Sequence, residues 1–600
     1  MPTEYVEDKS SGRSPPHVAG PRGGVSPTPH VQQGRMERMY LLLAAHPDGA
    51  AIQRISPSGK ATADARVLTR GELPGVVREF EAQRPRWVWH RAQDWYPELL
   101  AQDIELERCH DLALCGAILA HSEFTAHTDY AKNAVQLTQD DDTPPRLLQP
   151  PPPPADQGAL FEDLPPSDPK AGLAELKAEF AAQQEAVAHV ATDHQRRQRL
   201  QLLLAAESAC AIIAVEMQHA GVPWREELHQ QILADVLGPR PAPGHRPPVL
   251  EALCAELRTI LNSPGLNPDS PQDLMRALHR NGIEVKSTRQ WELQESKHPA
   301  IQPLLTYKKL SRLHTANGWA WLDAWVRDGR FHPEYVVGGV VSGRWASRGG
   351  GALQIPRNIR AAVHADPGHK LIVADASQLE PRVLVALAQD TKMAEAARDK
   401  DLYAGIAAQG FGGDRAKAKV ALLGAIYGAT TGESGRLMPQ LARTYPRAVG
   451  FVEQAAREGE AGRTVTTRLG RSSPPPSAAW WRSQQSTTAE EQRRADNLAR
   501  SRGRFTRNFV VQGSAAEWAA CWLAELRRRL RGLRAEGSPS GELVFFLHDE
   551  VMIHAPDHAV DACIRAIEES AAAAKELMFG RIPVEFPVSV AVVESYDKAK

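Results

Sequence analysis

The chain has 600 residues, about four domains' worth at roughly 150 residues each. Its 42% hydrophobic and 24% charged content describe a globular chain, and no run of 18 or more apolar residues suggests a membrane span. A net charge of −1, from 71 basic and 72 acidic side chains, excludes nucleic-acid binding through bulk positive charge, though not through a segregated basic face. Six scattered cysteines with no C-x-x-C signal neither a zinc site nor a disulfide framework, so a cytoplasmic location is expected.

Residues 1–37 are rich in Ser, Pro and Gly without an apolar period, which predicts a disordered tail lacking the apolar core of a signal peptide. A mixed region follows over 38–135, opened by the strand-like run Tyr40–Ala45. Residues 136–172 then read as a linker, because the five prolines Pro150–Pro154 fix an extended conformation. Ala- and Leu-rich helical sequence fills 173–237 and 250–261, within a mainly helical region over 173–335. The last region, 336–600, mixes long helices with strands predicted at 370–374, 543–547 and 551–554, an α+β domain with a small antiparallel sheet. Eleven arginines lie between Arg493 and Arg534, either a basic binding face or an ordinary solvated one.

Three features carry chemistry. Leu371-Ile-Val-Ala-Asp375 ends an apolar strand in a carboxylate, a rigid mount for a metal ligand, or else simply the cap of the next helix. Val544-Phe-Phe-Leu547-His548-Asp549-Glu550-Val551 reads as a hairpin whose tip gathers three ionisable groups. Those repel one another unless a cation sits among them, although an ordinary charged turn has the same pattern. Between the two, Arg415, Lys419, Leu423 and Tyr427 recur every four residues along one slowly drifting helix face. Two cations, an apolar group and an aromatic ring in that order could clamp a triphosphate and stack a base. Amphipathic core packing is the plainer alternative.

In combination, Asp375-Ala-Ser-Gln-Leu-Glu380, Arg415-x3-Lys419-x7-Tyr427-Gly428 and His548-Asp549-Glu550 resemble the three polymerase signatures of family A DNA polymerases, the DNA polymerase I family. Ser342-Gly343-Arg344, Leu353-Gln354-Ile355-Pro356 and Arg504-x3-Asn508-x3-Gln512-Gly513 are similar to segments flanking them. The stretches 262–271 and 307–313 look like the family's thumb, so the resemblance covers about 200–600. It implies a multidomain α/β and α+β protein, a right-hand polymerase of palm, fingers and thumb behind an RNase H-like exonuclease-type domain. The implied activity is template-directed addition of dNMP to a primer 3′-hydroxyl, in repair or gap filling, by a chain acting as a monomer.

The resemblance also implies roles. Asp375 and Asp549 would hold two Mg²⁺ ions, with Mn²⁺ as a substitute, supported by Glu550. Gln378, Glu380, Arg415, Lys419, Leu423, Tyr427 and His548 would line the nucleotide site, Glu380 as the gate against a ribose 2′-hydroxyl and Lys419 as a general acid toward pyrophosphate. Arg344, Gln354, Arg360, Arg504, Asn508 and Gln512 would contact primer–template DNA. Ala376, Leu423 and Tyr403 depart from the family's usual residues, and the segment between Ile355 and Arg360 is short. Other readings are a DNA-binding scaffold with a decayed site, an exonuclease-dominated or bifunctional enzyme, a single-subunit RNA polymerase and a metal-dependent phosphohydrolase.

A proofreading exonuclease of this family opens on Asp-x-Glu. Here the opening strand runs Leu41-Leu-Leu-Ala-Ala-His46-Pro-Asp48. Asp94 looks like a remnant ligand, Cys109-His-Asp111 like part of a later helix, and Tyr130 is followed four residues on by Ala134 where an Asp is expected. An exonuclease-like fold without exonuclease activity is therefore expected, with no room for a 5′-nuclease before residue 39. In the linker, Gln157-Gly-Ala-Leu160-Phe161 resembles the peptide by which bacterial polymerases dock on the sliding clamp, although Leu160 and Phe161 could equally pin the linker to a neighbouring domain.

Overall fold

The computed structural model describes residues 39–139, 172–190, 193–348, 355–398, 401–429, 432–535, 537–538 and 540–599. Gln157, Leu160, Phe161 and Gln354 lie outside the described residues.

A continuous apolar run suits a strand buried on both faces, and Tyr40–His46 (β1) occupies the middle of a five-stranded sheet. Its order is β3-β2-β1-β4-β5. β2 (Gly49–Ile55) and β3 (Arg66–Leu68) are antiparallel, while β4 (Arg86–Trp89) and β5 (Cys109–Asp111) run parallel to β1. Leu41, Leu43 and Trp87 pack on one side with Ala211, Ile212 and Val215. Leu42, Ala44 and Val88 pack on the other with Leu176 and Phe180 of the helix Leu173–Ala188.

The helical stretch expected over 173–237 is three helices. The second, His194–Ala220, stops at Gly221, whose φ of +67° few other residues adopt. This helix is long and apolar enough to cross a membrane, yet 72% of its apolar window is buried between the first sheet and the C-terminal half, the packing of a core helix. Arg527 fastens the two halves together. Its guanidinium donates to Glu216 (2.6 Å) on this core helix and to the carbonyls of Leu106 and Glu107 beside the first sheet. Burial alone would raise the Glu216 carboxyl, but Arg527 outweighs it and holds it below its ordinary range.

β6 (Val222–Pro223), β7 (Val326–Arg327) and β8 (Arg330–Phe331) make a small sheet, and β9 (Glu334–Val336) pairs with β10 (Ala346–Arg348). The second principal sheet has the order β12-β13-β11-β14 and is antiparallel throughout. Its members are β11 (His369–Ala376), β12 (Glu542–Leu547), β13 (Glu550–Pro556) and β14 (Val588–Val593). β11 runs two residues further than its apolar pattern predicts, because ladder bonds on both edges carry Asp375 and Ala376 into the strand.

Sharing one core with this sheet is a 47-residue helix, Ala489–Ala535, about 70 Å long. It packs on the helix Pro446–Glu460 so closely that a Cβ at Gly459 would come within 2.0 Å of Thr506 Oγ1. The eleven arginines divide along it. Arg528 and Arg529 pair with Glu525, Arg531 and Arg534 pair with Glu105, and buried Arg507 pairs with Glu453. Arg493, Arg494, Arg500 and Arg504 stand exposed.

Glu517, midway along the helix, is fully buried, accepts from Thr467 and from the Leu469 N–H (2.8 Å), and is pushed up to about 7 by burial. The folded protein therefore keeps a proton that the unfolded chain releases near 4.5, so stability declines as pH rises from about 4.5 to 7. Glu517→Gln should flatten that decline, which amounts to roughly 3 kcal/mol, in urea midpoints measured across this pH range.

Candidate active site

Strand register brings the two aspartates together. Asp375 of β11 lies opposite Glu550 of β13, and the Ala376 N–H donates to the Asp549 carbonyl at 2.8 Å. The hairpin turn is His548-Asp549 alone, closed by the Asp549 N–H on the Leu547 carbonyl (2.7 Å), with His548 at φ +58°. Glu550 belongs to the strand rather than to the tip. It is buried and accepts a hydrogen bond from the Tyr596 hydroxyl. Burial and then Glu550 push the Tyr596 phenol well above its ordinary value. The carboxylates cannot instead cap the following helix, whose N-terminal residue outside the helix is Gln378 at φ +59°.

The cationic helix spans Arg415–Tyr427, capped by Asp414 (accepting from Lys417 N) and ended by Gly428 at φ +70°. Arg415, Lys419 and Tyr427 are exposed on it, Leu423 is half-buried, and Ala418, Ala421, Leu422 and Ala425 are buried. Arg415 donates to Asp401 (2.6 Å) and lies 5.5 Å over the Tyr403 ring. Asp401 also takes the Gln378 amide (2.9 Å) and caps the helix Leu402–Gly410. Tyr427 donates to Glu380 at 2.6 Å, and Arg344 grips the other oxygen of that buried carboxylate. Burial, followed by Glu380, raises the Tyr427 phenol well above its usual value.

Arg344, Gln378, Glu380, Tyr427, His548 and Asp549 line one cleft of about 270 Å³. Desolvation and the nearby Arg344 cation lower the His548 imidazole. Beside the cleft, Gln512 accepts from Ser342 (2.7 Å), Asn508 lies one helical turn away, and Arg504 packs on Gly428 at the end of the cationic helix. Arg360 is half-buried at the start of the chain segment leading to β11. Its guanidinium stacks 4.4 Å over Tyr596 while its Nε donates to the Ile355 carbonyl. A larger, mostly apolar cavity of about 390 Å³ under the helix Leu112–His121 contains none of these residues.

In the first sheet, Cys109–Asp111 is a strand, not part of a helix. Asp111 caps the helix Leu112–His121 through the Leu114 N–H and also accepts from Ala92 N (2.8 Å), and burial pushes its carboxyl up to about 6. Asp94 lies 3.8 Å from the His90 ring, and Asp48 3.5 Å from His46. Among the described residues no group of three or more His, Cys, Asp or Glu side chains is placed to hold a metal ion. Two residues escaped the sequence reading, Asp401 and Tyr596. Asp401 had a weak local signal, an Asp beginning a helix; Tyr596 had none.

The model of DNA polymerase family A matches residues 250–598. The thermostable DNA polymerase I of Thermus filiformis is 27% identical over 326 residues, which are 49% of this chain and 36% of that protein. DNA polymerase I of Treponema pallidum is 28% identical over 289 residues, 43% of this chain and 27% of that one. The chain thus matches about a third of the length of such relatives. A solved structure described as the POL domain of Pol1 from M. smegmatis, complexed with DNA primer-template and dNTP, superposes with a TM-score of 0.66 at 18% identity. It covers 94% of this chain and 96% of that one, which shows the shared fold. With more than half its length inside the family match, and with the signature segments assembled around one cleft, the chain belongs to DNA polymerase family A.

Proposed function

We propose that the chain is a template-directed DNA polymerase, joining a primer 3′-oxygen to the α-phosphorus of a dNTP as the α–β bond breaks and pyrophosphate leaves. The observation that carries this reading is the pairing of β11 with β13, which brings the strand end bearing Asp375 beside the turn bearing Asp549, a residue that lines the cleft. Two hard oxygen donors on rigid strands suit Mg²⁺, or Mn²⁺, which is commonly held by one or two carboxylates together with substrate phosphates. Such ions supply Lewis-acid stabilisation of the attacking and leaving oxygens.

The remaining roles fall to the chain's own side chains. Arg415 and Lys419 bind the phosphates, and Lys419 holds a proton for the departing pyrophosphate. Glu380, fixed between Arg344 and Tyr427, occupies the space a 2′-hydroxyl would need. Leu423 and Tyr427 face the sugar and base, and His548 the primer end. Glu550, tied to Tyr596, holds β13 in place. Arg504, Asn508 and Gln512 grip the duplex end, where minor-groove acceptors are nearly independent of sequence. The five-stranded domain is a proofreading fold without its metal ligands, since Asp111 is committed to backbone N–H groups. Gap filling, with docking to a sliding clamp through Gln157, Leu160 and Phe161, completes the proposal.

Primer extension tests the core of it. Asp375→Asn and Asp549→Asn should each slow dNMP addition on the order of 10³-fold or more while leaving primer–template affinity in place. Retained extension in either variant would refute the reading. Glu380→Ala should admit NTPs at least about tenfold better, read as the ratio of NTP to dNTP incorporation in the same assay. A 3′-labelled primer should stay untrimmed by Asp549→Asn with Mg²⁺ present; trimming would restore the proofreading alternative.

A further inference from the structure

The first cation of the helix Arg415–Tyr427 has partners inside the protein. Its Nε donates to Asp401 Oδ2 at 2.6 Å, and its guanidinium carbon lies 5.5 Å from the centre of the Tyr403 ring. Both partners stand at the start of the helix Leu402–Gly410, and Tyr403 lines the same cleft as Glu380 and Asp549. A phosphate that is to use Arg415 must therefore take it from a carboxylate.

That carboxylate divides its two oxygens between different tasks. Oδ1 accepts from the Gln378 amide (2.9 Å) and from the backbone N–H groups of Tyr403 (3.1 Å) and Ala404 (3.3 Å). Gln378 in turn accepts from the Leu402 N–H at 2.8 Å, closing a ring of bonds in which Arg415 has no part. Oδ2 takes Arg415. Burial alone would raise the Asp401 carboxyl, but the Arg415 and Gln378 hydrogen bonds outweigh it and hold it below its ordinary range. Asp401 is thus anchored and charged through bonds that persist when the guanidinium swings away. The Arg415 and Asp401 side chains are 53% and 39% exposed, so water replaces the pair at small cost.

We propose that Asp401 is an internal counter-anion that competes with the nucleotide triphosphate for Arg415 and takes the guanidinium back as pyrophosphate leaves. The inference rests on the polymerase reading above. Phosphate oxygens offer Arg415 charge-assisted hydrogen bonds, but the affinity gained is reduced by whatever the Asp401 pair contributed. The same carboxylate then offers its oxygen to Arg415 as the product departs, which favours release. Asp401 acts through Arg415 and is a positioning residue. If it instead oriented Arg415 toward the phosphates, its loss would have the opposite sign.

Asp401→Asn tests this, because Asn caps a helix about as well as Asp while carrying no charge. Isothermal titration calorimetry of the full chain should show inorganic tripolyphosphate and pyrophosphate each binding about three- to fivefold tighter to the variant. In primer extension the KM for dNTP and the inhibition constant of pyrophosphate should fall by that factor, while kcat moves less. The gain should vanish in an Arg415→Gln background; a gain of undiminished size there would be plain charge repulsion and would overturn the proposal. Unchanged or weaker tripolyphosphate binding by Asp401→Asn would overturn it too. Should that variant not fold, Asp401→Ser, another capping residue, carries the same expectation and the same refutation. The calorimetry needs neither primer nor catalysis, so a failed extension assay would refute the polymerase reading and leave the competition for Arg415 readable.

Discussion

The register between β11 and β13 is the constraint on which the rest depends. Residues on β11 alternate between two cores: Ile372, Ala374 and Ala376 enter one, Leu371 and Val373 the other. A slip of one residue would exchange every side chain between the faces and carry Asp375 away from Asp549. Three contacts resist such a slip: the Ala376–Asp549 backbone bond, β14 on the opposite edge of β11, and the Tyr596 hydroxyl on Glu550. The last also eases an electrostatic conflict, since three carboxylates meet within a few residues of one hairpin. One is turned into the core and hydrogen-bonded, with Arg360 stacked behind its partner.

Magnitudes separate the two ion pairs near the cleft. Arg415 and Asp401 are both substantially exposed, and such a pair contributes about 0–1 kcal/mol. A polyanion can therefore draw Arg415 away at little cost while Asp401 keeps its links to Gln378 and the helix it caps. Arg344 and Glu380 are largely buried, and Glu380 also accepts from Tyr427. Removing one partner from that set would leave a buried charge unsatisfied, at a cost of about 3–5 kcal/mol. The first pair is thus suited to exchange and the second to rigidity.

Local pattern made part of this legible. The four-residue spacing from Arg415 to Tyr427 with a following glycine marks the cationic helix, and its bounds coincide with that spacing because Gly428 can take the left-handed ending. Apolar runs marked β1 and β11. The end of β11 was not legible, since a polar Asp375 looks like a strand terminus until its pairing on both sides is known. Cys109–Asp111 was misread for a related reason: three residues carry no period, and their parallel pairing with β4 decides the matter. Tyr596 meets Glu550 across 46 positions of sequence. The arginine-rich stretch had two readings because its partners lie elsewhere; the carboxylates of Glu105 and Glu525 neutralise its end and leave its beginning bare.

The same logic gives the five-stranded domain a structural role. Asp111 serves backbone groups, spanning Ala92 and Leu114. Its apolar face covers Ala211, Ile212 and Val215 of the core helix, whose other side packs against the long helix bearing Gln512 and Asn508. Arg527 finds two of its acceptors, the Leu106 and Glu107 carbonyls, only in that domain. Without it the guanidinium would lose those bonds and an apolar stripe of the core helix would meet water. The long helix bearing Gln512 and Asn508 would then lose its backing. A domain in that position matters for what it holds in place.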